Sequence, residues 1–524
     1  VKFGFIFNST VDKNVMKFII GFIFIFISSL SFSQVYFFPK TEEAKSFLDS
    51  LESSSEIKKL LTDEIDHLNA SERFGLWRIT LNEVESLPSG NLAQIYPRYN
   101  PGETLEIVLD ITQEGLKNPA VVLEQMIHLD QIVGNESYSS AIKRTFISPI
   151  QWAETVSNAH QGSPSAIKKI AATKLEAYLQ MSEVLKDNKF PKMTGVSEEV
   201  VLQYIEQQKS SAQSAYDLAL KNEKKFLKEA KKKWNEQREK FPTLEAQSEK
   251  LNDLIAKNDR SGVRKLLEDY LPWPLMEPTE RKAWEQWLEA LENPNLENRR
   301  VVFRGLDGDS LQMGAEGKPY QMSTVLTKNQ GNYNRRLRSL TTMREKFGVD
   351  HLKKSITTDL PQFQGHVTLS TMMRNHSDDP VGSPFLSGSQ NDVTERFGAK
   401  KRIALHIDPR RMISNIHSAY PHEKEMLIPL IIFPDEVIYY EDKSKSVEFI
   451  KDENFLKEVE ARLGRPLEPF EKEGWRVDKR EFVKKGLVEF HEKILSPDSS
   501  FSKGCTLDSK GCDCLYMSLS NLLK

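Results

Sequence analysis

Apolar positions recur every three to four residues through 42–51 and again through 56–68, the period of amphipathic helices. Asn100-Pro101-Gly102 reads as a turn, and TLEIVLDIT (104–112) has the β-branched content of a strand. Pro119 then opens a helix, AVVLEQMIHLDQIVG, that Gly134 closes. Residues 164–270 read as almost wholly helical. Within them 197–240 is free of Gly and Pro, and its stretch LKEAKKKWNEQREK is charged on most faces. The plain reading is the solvated side of a long helix, and the sharper one is a basic docking surface. Pro242 breaks that helix. Pro272 and Pro274 mark a boundary before a short Trp-rich helix at 280–291, which Asn293-Pro294-Asn295 ends.

The texture changes at Arg300. VVFRGL reads as a strand over 301–304 closed by Gly305, followed by a Gly-rich loop and a basic helix around 333–347. Short β-like runs come next: GHVTLST, RIALHID and MLIPLIIFPDEVIYY. The pattern predicts an α+β unit preceded by a mostly helical region. Five segments are expected: a leader over 1–33, a mixed region over 34–190, a long-helix region and linker over 191–295, a catalytic unit over 296–445, and a small extension over 446–524.

Composition changes this picture in three places. From Met16 the chain reads MKFIIGFIFIFISSLSFSQ: a lysine, a short apolar run, then Ser31-Phe32-Ser33 in the small-x-small pattern of a cleavage site before Gln34. That is a secretory signal, and the run is short for a membrane span. Localisation is therefore expected to be secreted, with the membrane met only through the cleaved leader. The whole chain carries a net charge of −3, and the leader's Lys2, Lys13 and Lys17 against Asp12 make +2, leaving −5 for the mature chain. Bulk electrostatic binding of nucleic acid is not expected. The three cysteines, Cys505, Cys512 and Cys514, all fall at the C-terminal end. An oxidising compartment would pair two and leave one, and their spacing is not a usual zinc pattern.

Glu423 and Glu425 stand two apart at the mouth of an apolar run, YPHEKEMLIPL. If that segment is extended, both carboxylates face one way and raise each other's pKa, a cost that a shared task would explain. Two further pieces precede them in order: Phe303-Arg304-Gly305 at a strand end, and PFLSGSQ with Ser387 and Ser389. In the order Arg, Ser-x-Ser, Glu-x-Glu, residues 296–445 resemble the arginine-directed mono-ADP-ribosyltransferases, including their secreted bacterial toxins. The resemblance implies NAD as substrate, no metal, and a target protein carrying an acceptor arginine. It implies that Glu425 stabilises the oxocarbenium-like ribose, that Glu423 grips the acceptor guanidinium, and that Arg304, beside Gly305, binds the NAD phosphates. Ser387 would hold Glu425 in register, and Tyr420 would lie on the loop that recognises the target. The family's middle motif is Ser-Thr-Ser, so Gly388 is a departure that would loosen the strand. Hydrolysis of NAD by water at the same site, and a non-catalytic binding protein with degenerate enzyme domains, remain open beside this reading.

Leu123-Glu124-Gln125-Met126-Ile127-His128 looks like the zinc-peptidase motif HExxH with its first histidine replaced by Leu123, and Glu176 stands where a third ligand often falls. Catalytic zinc needs two histidines one helical turn apart. The expectations are a zincin-like helix without peptidase activity or, more plainly, a buried His128 paired with a local carboxylate.

Overall fold

A computed structural model describes residues 34–38, 77–87, 91–99, 105–116, 118–133, 149–186, 198–240, 244–271, 273–295, 297–306, 311–314, 317–323, 368–378, 383–390, 401–418, 423–442, 466 and 486–495. The helices expected at 42–51, 56–68 and 333–347, the leader, Tyr420 and the three cysteines lie outside them.

The N-terminal part holds a four-stranded sheet of β1 (Gln34–Phe38), β2 (Trp77–Val84), β3 (Ala93–Tyr99) and β4 (Leu105–Thr112), in the order β1-β2-β4-β3. β1, β2 and β4 run parallel, and β3 lies antiparallel along β4. β2 alternates Trp77, Ile79 and Leu81 with Arg78, Thr80 and Asn82, a period-two signal that the sequence reading passed over. β3 contains Pro97, which cannot donate to a ladder, and its place at the sheet edge accommodates this. On one face of β4, Ile107, Leu109 and Ile111 are buried in a core shared with four helices. These are α1 (Pro119–Val133), α2 (Pro149–His160), α3 (Pro164–Lys186) and α4 (Glu198–Glu239). α4 is the long helix expected. It buries Val201, Ile205, Ala212 and Ala219 in that core, while the seven lysines between 221 and 233 are exposed.

Three more helices, α5 (Leu244–Ala256), α6 (Arg260–Tyr270) and α7 (Pro278–Glu292), lead into the second sheet. That sheet has six strands in the order β10-β11-β8-β5-β9-β13. They are β5 (Arg300–Leu306), β8 (Phe385–Ser389), β9 (Lys401–Ile407), β10 (Ile413–Ser414), β11 (Glu425–Pro429) and β13 (Val437–Asp442). β6 (Gln312–Met313), β7 (Pro319–Met322) and β12 (Ile431–Ile432) form a small companion sheet. Leu430, with φ of 60°, turns the chain from β11 into β12 and so from one sheet to the other. Two-layer α+β architecture is thus present in this half.

Three expectations change. Gly305 lies inside β5 and does not end it, pairing with Arg402 of β9. The described part of GHVTLST, 368–371, is not strand: α8 (Leu369–Asp378) begins within it. The apolar spacing Leu369, Met372, Met373, His376 is helical, and all four are buried. Third, the core does not break at the expected boundaries of 295/296 and 445/446. Leu251, Val263, Leu267, Trp284, Trp287 and Leu288 of α5–α7 share one apolar cluster with Phe385, Leu427 and Phe433, and with Leu487 and Phe490 from the far C-terminal segment. Arg260 of α6 also stacks 4.2 Å from the Phe433 ring and pairs with Asp435 at 2.7 Å. Residues 251–291, within the region expected as long helix and linker, contribute to the second core.

Candidate active site

Sheet order puts the three foreseen pieces on neighbours. Arg304 sits on β5, Ser387 on β8 and Glu425 at the head of β11, and these strands are adjacent in the six-stranded sheet. In the β8–β11 ladder Glu425 pairs with Ser389 and Leu427 with Ser387. Cross-strand partners share a face, so Glu425 and both serines face the same way.

Glu425 is half-buried and held through both oxygens. Asn415 Nδ2 donates to Oε2 at 2.7 Å, and His376 Nε2 lies 3.5 Å from Oε1. Burial alone would raise its pKa. The hydrogen bond and charge of His376 oppose this, with help from Ser387 and Asn415, and the carboxyl ends below its ordinary value. It is a carboxylate at neutral pH. The Ser387 hydroxyl lies 2.7 Å from His376 Nε2, so serine and glutamate meet at one ring nitrogen.

Arg304 donates from Nε to Gln321 Oε1 at 2.8 Å and from Nη1 to the Ser387 carbonyl. Nη2 donates to none of the described residues. Burial pushes the guanidinium down to about 10, against the pull of the Glu425 charge, so it stays a cation at neutral pH. The site therefore presents one cation with a donor uncommitted among the described residues, one carboxylate, and a hydroxyl on the strand between them.

The second glutamate is placed differently from the expectation. The strand begins at Glu425, and Lys424, with φ of 50°, is in the left-handed region. Strand alternation therefore does not extend back to Glu423, and the shared face inferred from an extended Glu-x-Glu does not follow. Glu423 is brought to the site end by another route: Ser389 Oγ donates to its carbonyl, and Gln390 N donates to the Lys424 carbonyl at 3.2 Å. Its side chain is buried.

Gly388 has a packing reason. A Cβ there would lie 2.4 Å from Val302 Cγ1 of β5 and 3.6 Å from Ile428 Cδ1. The strand cannot take a threonine unless a stiff, buried valine moves.

His376 and Asn415 escaped the sequence reading. His376 lies just after GHVTLST, a run that reads as β-like, although its helical spacing from Leu369 is visible in the sequence. Asn415 follows the two-residue β10 and carries no local motif.

The zincin-like helix is α1. There Glu124 receives the Tyr178 hydroxyl at 2.7 Å and the Tyr204 hydroxyl at 3.4 Å, with His128 Nε2 at 3.7 Å and Lys174 at 3.9 Å. His128 Nδ1 meets Gln131 Oε1 at 2.8 Å. This is the plain expectation of a buried histidine beside a local carboxylate. Glu176 accepts from Gln180 at 3.3 Å. Among the described residues, no three His, Cys, Asp or Glu side chains are grouped to hold a metal, and no helix is long and apolar enough to cross a membrane.

Searches against family models, curated proteins and solved structures return no match to this chain.

Proposed function

We propose that this chain is a secreted mono-ADP-ribosyltransferase that transfers ADP-ribose from NAD to an arginine of a target protein. The observation that carries the reading is the placement of Arg304, Ser387 and Glu425 on three adjacent strands, with the Glu425 carboxyl held below its ordinary pKa and Arg304 Nη2 uncommitted among the described residues. A guanidinium donor suits a diphosphate oxygen. A carboxylate fixed through both oxygens suits a ribose on which positive charge develops at C1′, because a preorganised anion need not reorganise as the charge forms. In the reaction the C1′–nitrogen bond breaks and its electron pair leaves with neutral nicotinamide. An acceptor guanidinium nitrogen then bonds C1′ and gives up a proton, and Glu423, the residue that the resemblance assigns to gripping that guanidinium, is the candidate to take it.

The test is NAD turnover by the chain from Gln34, with and without a small guanidine acceptor. Nicotinamide release and labelled acceptor are read separately. Wild type should give both. Glu425→Gln should lower both by about 10²–10³-fold or more, the usual cost of removing one preorganised electrostatic group. Glu423→Gln should lose transfer and keep hydrolysis. Hydrolysis by wild type with no labelled acceptor would favour the NAD-hydrolase reading. A folded wild type that releases no nicotinamide would sink both and leave a binding role.

A further inference from the structure

α8 ends against the candidate site, and two side chains of its last turn, His376 and Ser377, lead to Glu425. His376 Nε2 reaches both Glu425 Oε1, at 3.5 Å, and Ser387 Oγ, at 2.7 Å. Ser377 Oγ accepts from Asn415 Nδ2 at 2.9 Å, and the same amide donates to Glu425 Oε2. Behind the ring, His376 Nδ1 meets Ser383 Oγ at 2.7 Å, and that oxygen accepts from Phe385 N at 3.1 Å. The ring thus bridges Ser383 through Nδ1 and Ser387 with Glu425 through Nε2, and the carboxylate favours a proton on Nε2. The imidazole is also wedged edge-on against Phe385, which packs edge-on against Trp287 of α7.

The start of α8 is pinned as firmly, and from the N-terminal half of the chain. Glu154 of α2 accepts from Leu369 N at 2.7 Å and Ser370 N at 2.9 Å, and so caps the helix. Gln151 of the same helix donates to Thr371 Oγ1 at 2.8 Å.

We propose that His376 is a positioning residue for Glu425 and Ser387, held in place by α8, and that α2 of the N-terminal half is built into the support of the site through the capped start of that helix. The inference rests on the transferase or hydrolase reading for its consequence in turnover, but its geometric content can be tested without it. The charged groups acting on Glu425 are His376 from α8 and Arg304 from β5, with Asn415 and Ser387 as neutral donors.

The experiment compares His376→Ala with His376→Gln, which keeps an amide donor, and confirms folding of each by thermal melting. The first readout needs no activity: titration of the Glu425 carboxyl carbon by NMR, assigned with Glu425→Gln. In His376→Ala the Glu425 pKa should rise, because the largest opposing contribution to its burial is gone; in His376→Gln the rise should be smaller. The second readout is nicotinamide release. Alanine should lower kcat by about tenfold to a hundredfold, the scale of a misplaced reacting group, with KM for NAD changed less, and glutamine should recover part of kcat. If the Glu425 titration is unmoved in folded His376→Ala, the proposal is wrong whatever the turnover. If wild type releases no nicotinamide but the titration shifts as stated, the positioning role stands and the transferase reading falls. If the titration shifts but kcat does not, the role in catalysis is overturned.

Discussion

Among the described residues Glu124 and Glu425 each have a histidine within 4 Å, and they differ in what surrounds them. In the N-terminal half, Glu124 is 5% exposed and His128 0%. Burial pushes the Glu124 carboxyl up, yet His128 at 3.7 Å, the charge of Lys174 and the Tyr178 hydroxyl bring it below its ordinary value. In the C-terminal half, the Glu425 side chain keeps 16% of its surface, and its neighbour Arg304 keeps a donor uncommitted to the described residues. Both carboxyls are depressed, so a depressed pKa does not tell them apart. Access and unspent donors do. The Glu124 node is closed upon tyrosines that spend their hydroxyls on it, as a structural polar cluster does. The Glu425 node lies at a strand end, where, on the proposed reading, a ligand's phosphate and ribose would meet it.

The largest effect that separates the two should come from paired substitutions read in one assay. Arg304→Ala should lower kcat/KM for NAD by about 10²–10³-fold, since it removes both a charge-assisted donor and a bond to the Ser387 carbonyl. Glu124→Gln should leave kcat/KM within about twofold. It should instead cost about 1–3 kcal/mol of stability, because a buried cluster of hydroxyls and cations loses its acceptor charge. Chemical denaturation alongside nicotinamide release makes the comparison. Equal losses of turnover from both variants would mean that the closed node also serves the reaction.

This asymmetry was partly legible in the sequence. Arg304, Ser387 and Glu425 stand out in the sequence through the resemblance that their order carries, and β4, α1, α4, β9 and β11 follow from local pattern. What escaped was whatever depends on pairing at a distance. Strand order decides that β5, β8 and β11 are neighbours, and no local pattern fixes it. Asn415 acts only because β10 lies beside β11. Glu154 reads as one more acid in a helix until the fold brings the start of α8, more than two hundred residues later, against it. Glu423 misled for a local reason, because one left-handed residue, Lys424, cancels the alternation on which the shared face rested.

Glu154 joins the two halves, and its titration gives the next effect. Burial pushes its carboxyl from an ordinary 4.5 up to about 7, against hydrogen bonds from Ser370, Leu369 and Thr279. The folded state therefore holds a proton that the unfolded chain has lost between those values, and stability falls as pH rises from about 4.5 to about 7. The full window corresponds to a loss on the order of 3 kcal/mol. Buried His491 works in the opposite direction. Burial, with Lys282 adding, pushes it down to about 4, so its contribution grows as pH rises towards 6.5. The measurement is thus a difference: urea midpoints of wild type and Glu154→Gln at pH 5 and pH 8. Wild type should weaken relative to the variant at the higher pH. Parallel profiles would show that Glu154 does not change its proton on folding.

The smallest effect concerns Gly388, where the chain departs from the Ser-Thr-Ser pattern that it otherwise resembles. A decayed site and a compensated one make different predictions there. In a decayed site the glycine is a loss, and restoring threonine should stabilise the strand, since glycine is a poor strand residue. Here Val302, fully buried on β5, occupies the space that a side chain at 388 would need, at 2.4 Å from its Cβ. Gly388→Thr should therefore destabilise by about 1–3 kcal/mol through overpacking. Adding Val302→Ala should recover part of that loss, giving a coupling energy of the size seen between contacting residues, roughly 0.5–3 kcal/mol. The serine at 387 is untouched in each variant, so turnover by the double variant should stay near that of Val302→Ala alone. Stabilisation by threonine in the wild-type background would mean that the glycine is a defect and would weaken the case that this sheet is kept for chemistry. A penalty relieved by Val302→Ala would mean that the two strands exchanged volume between 388 and 302 while Ser387 and Glu425 kept their ladder pairings.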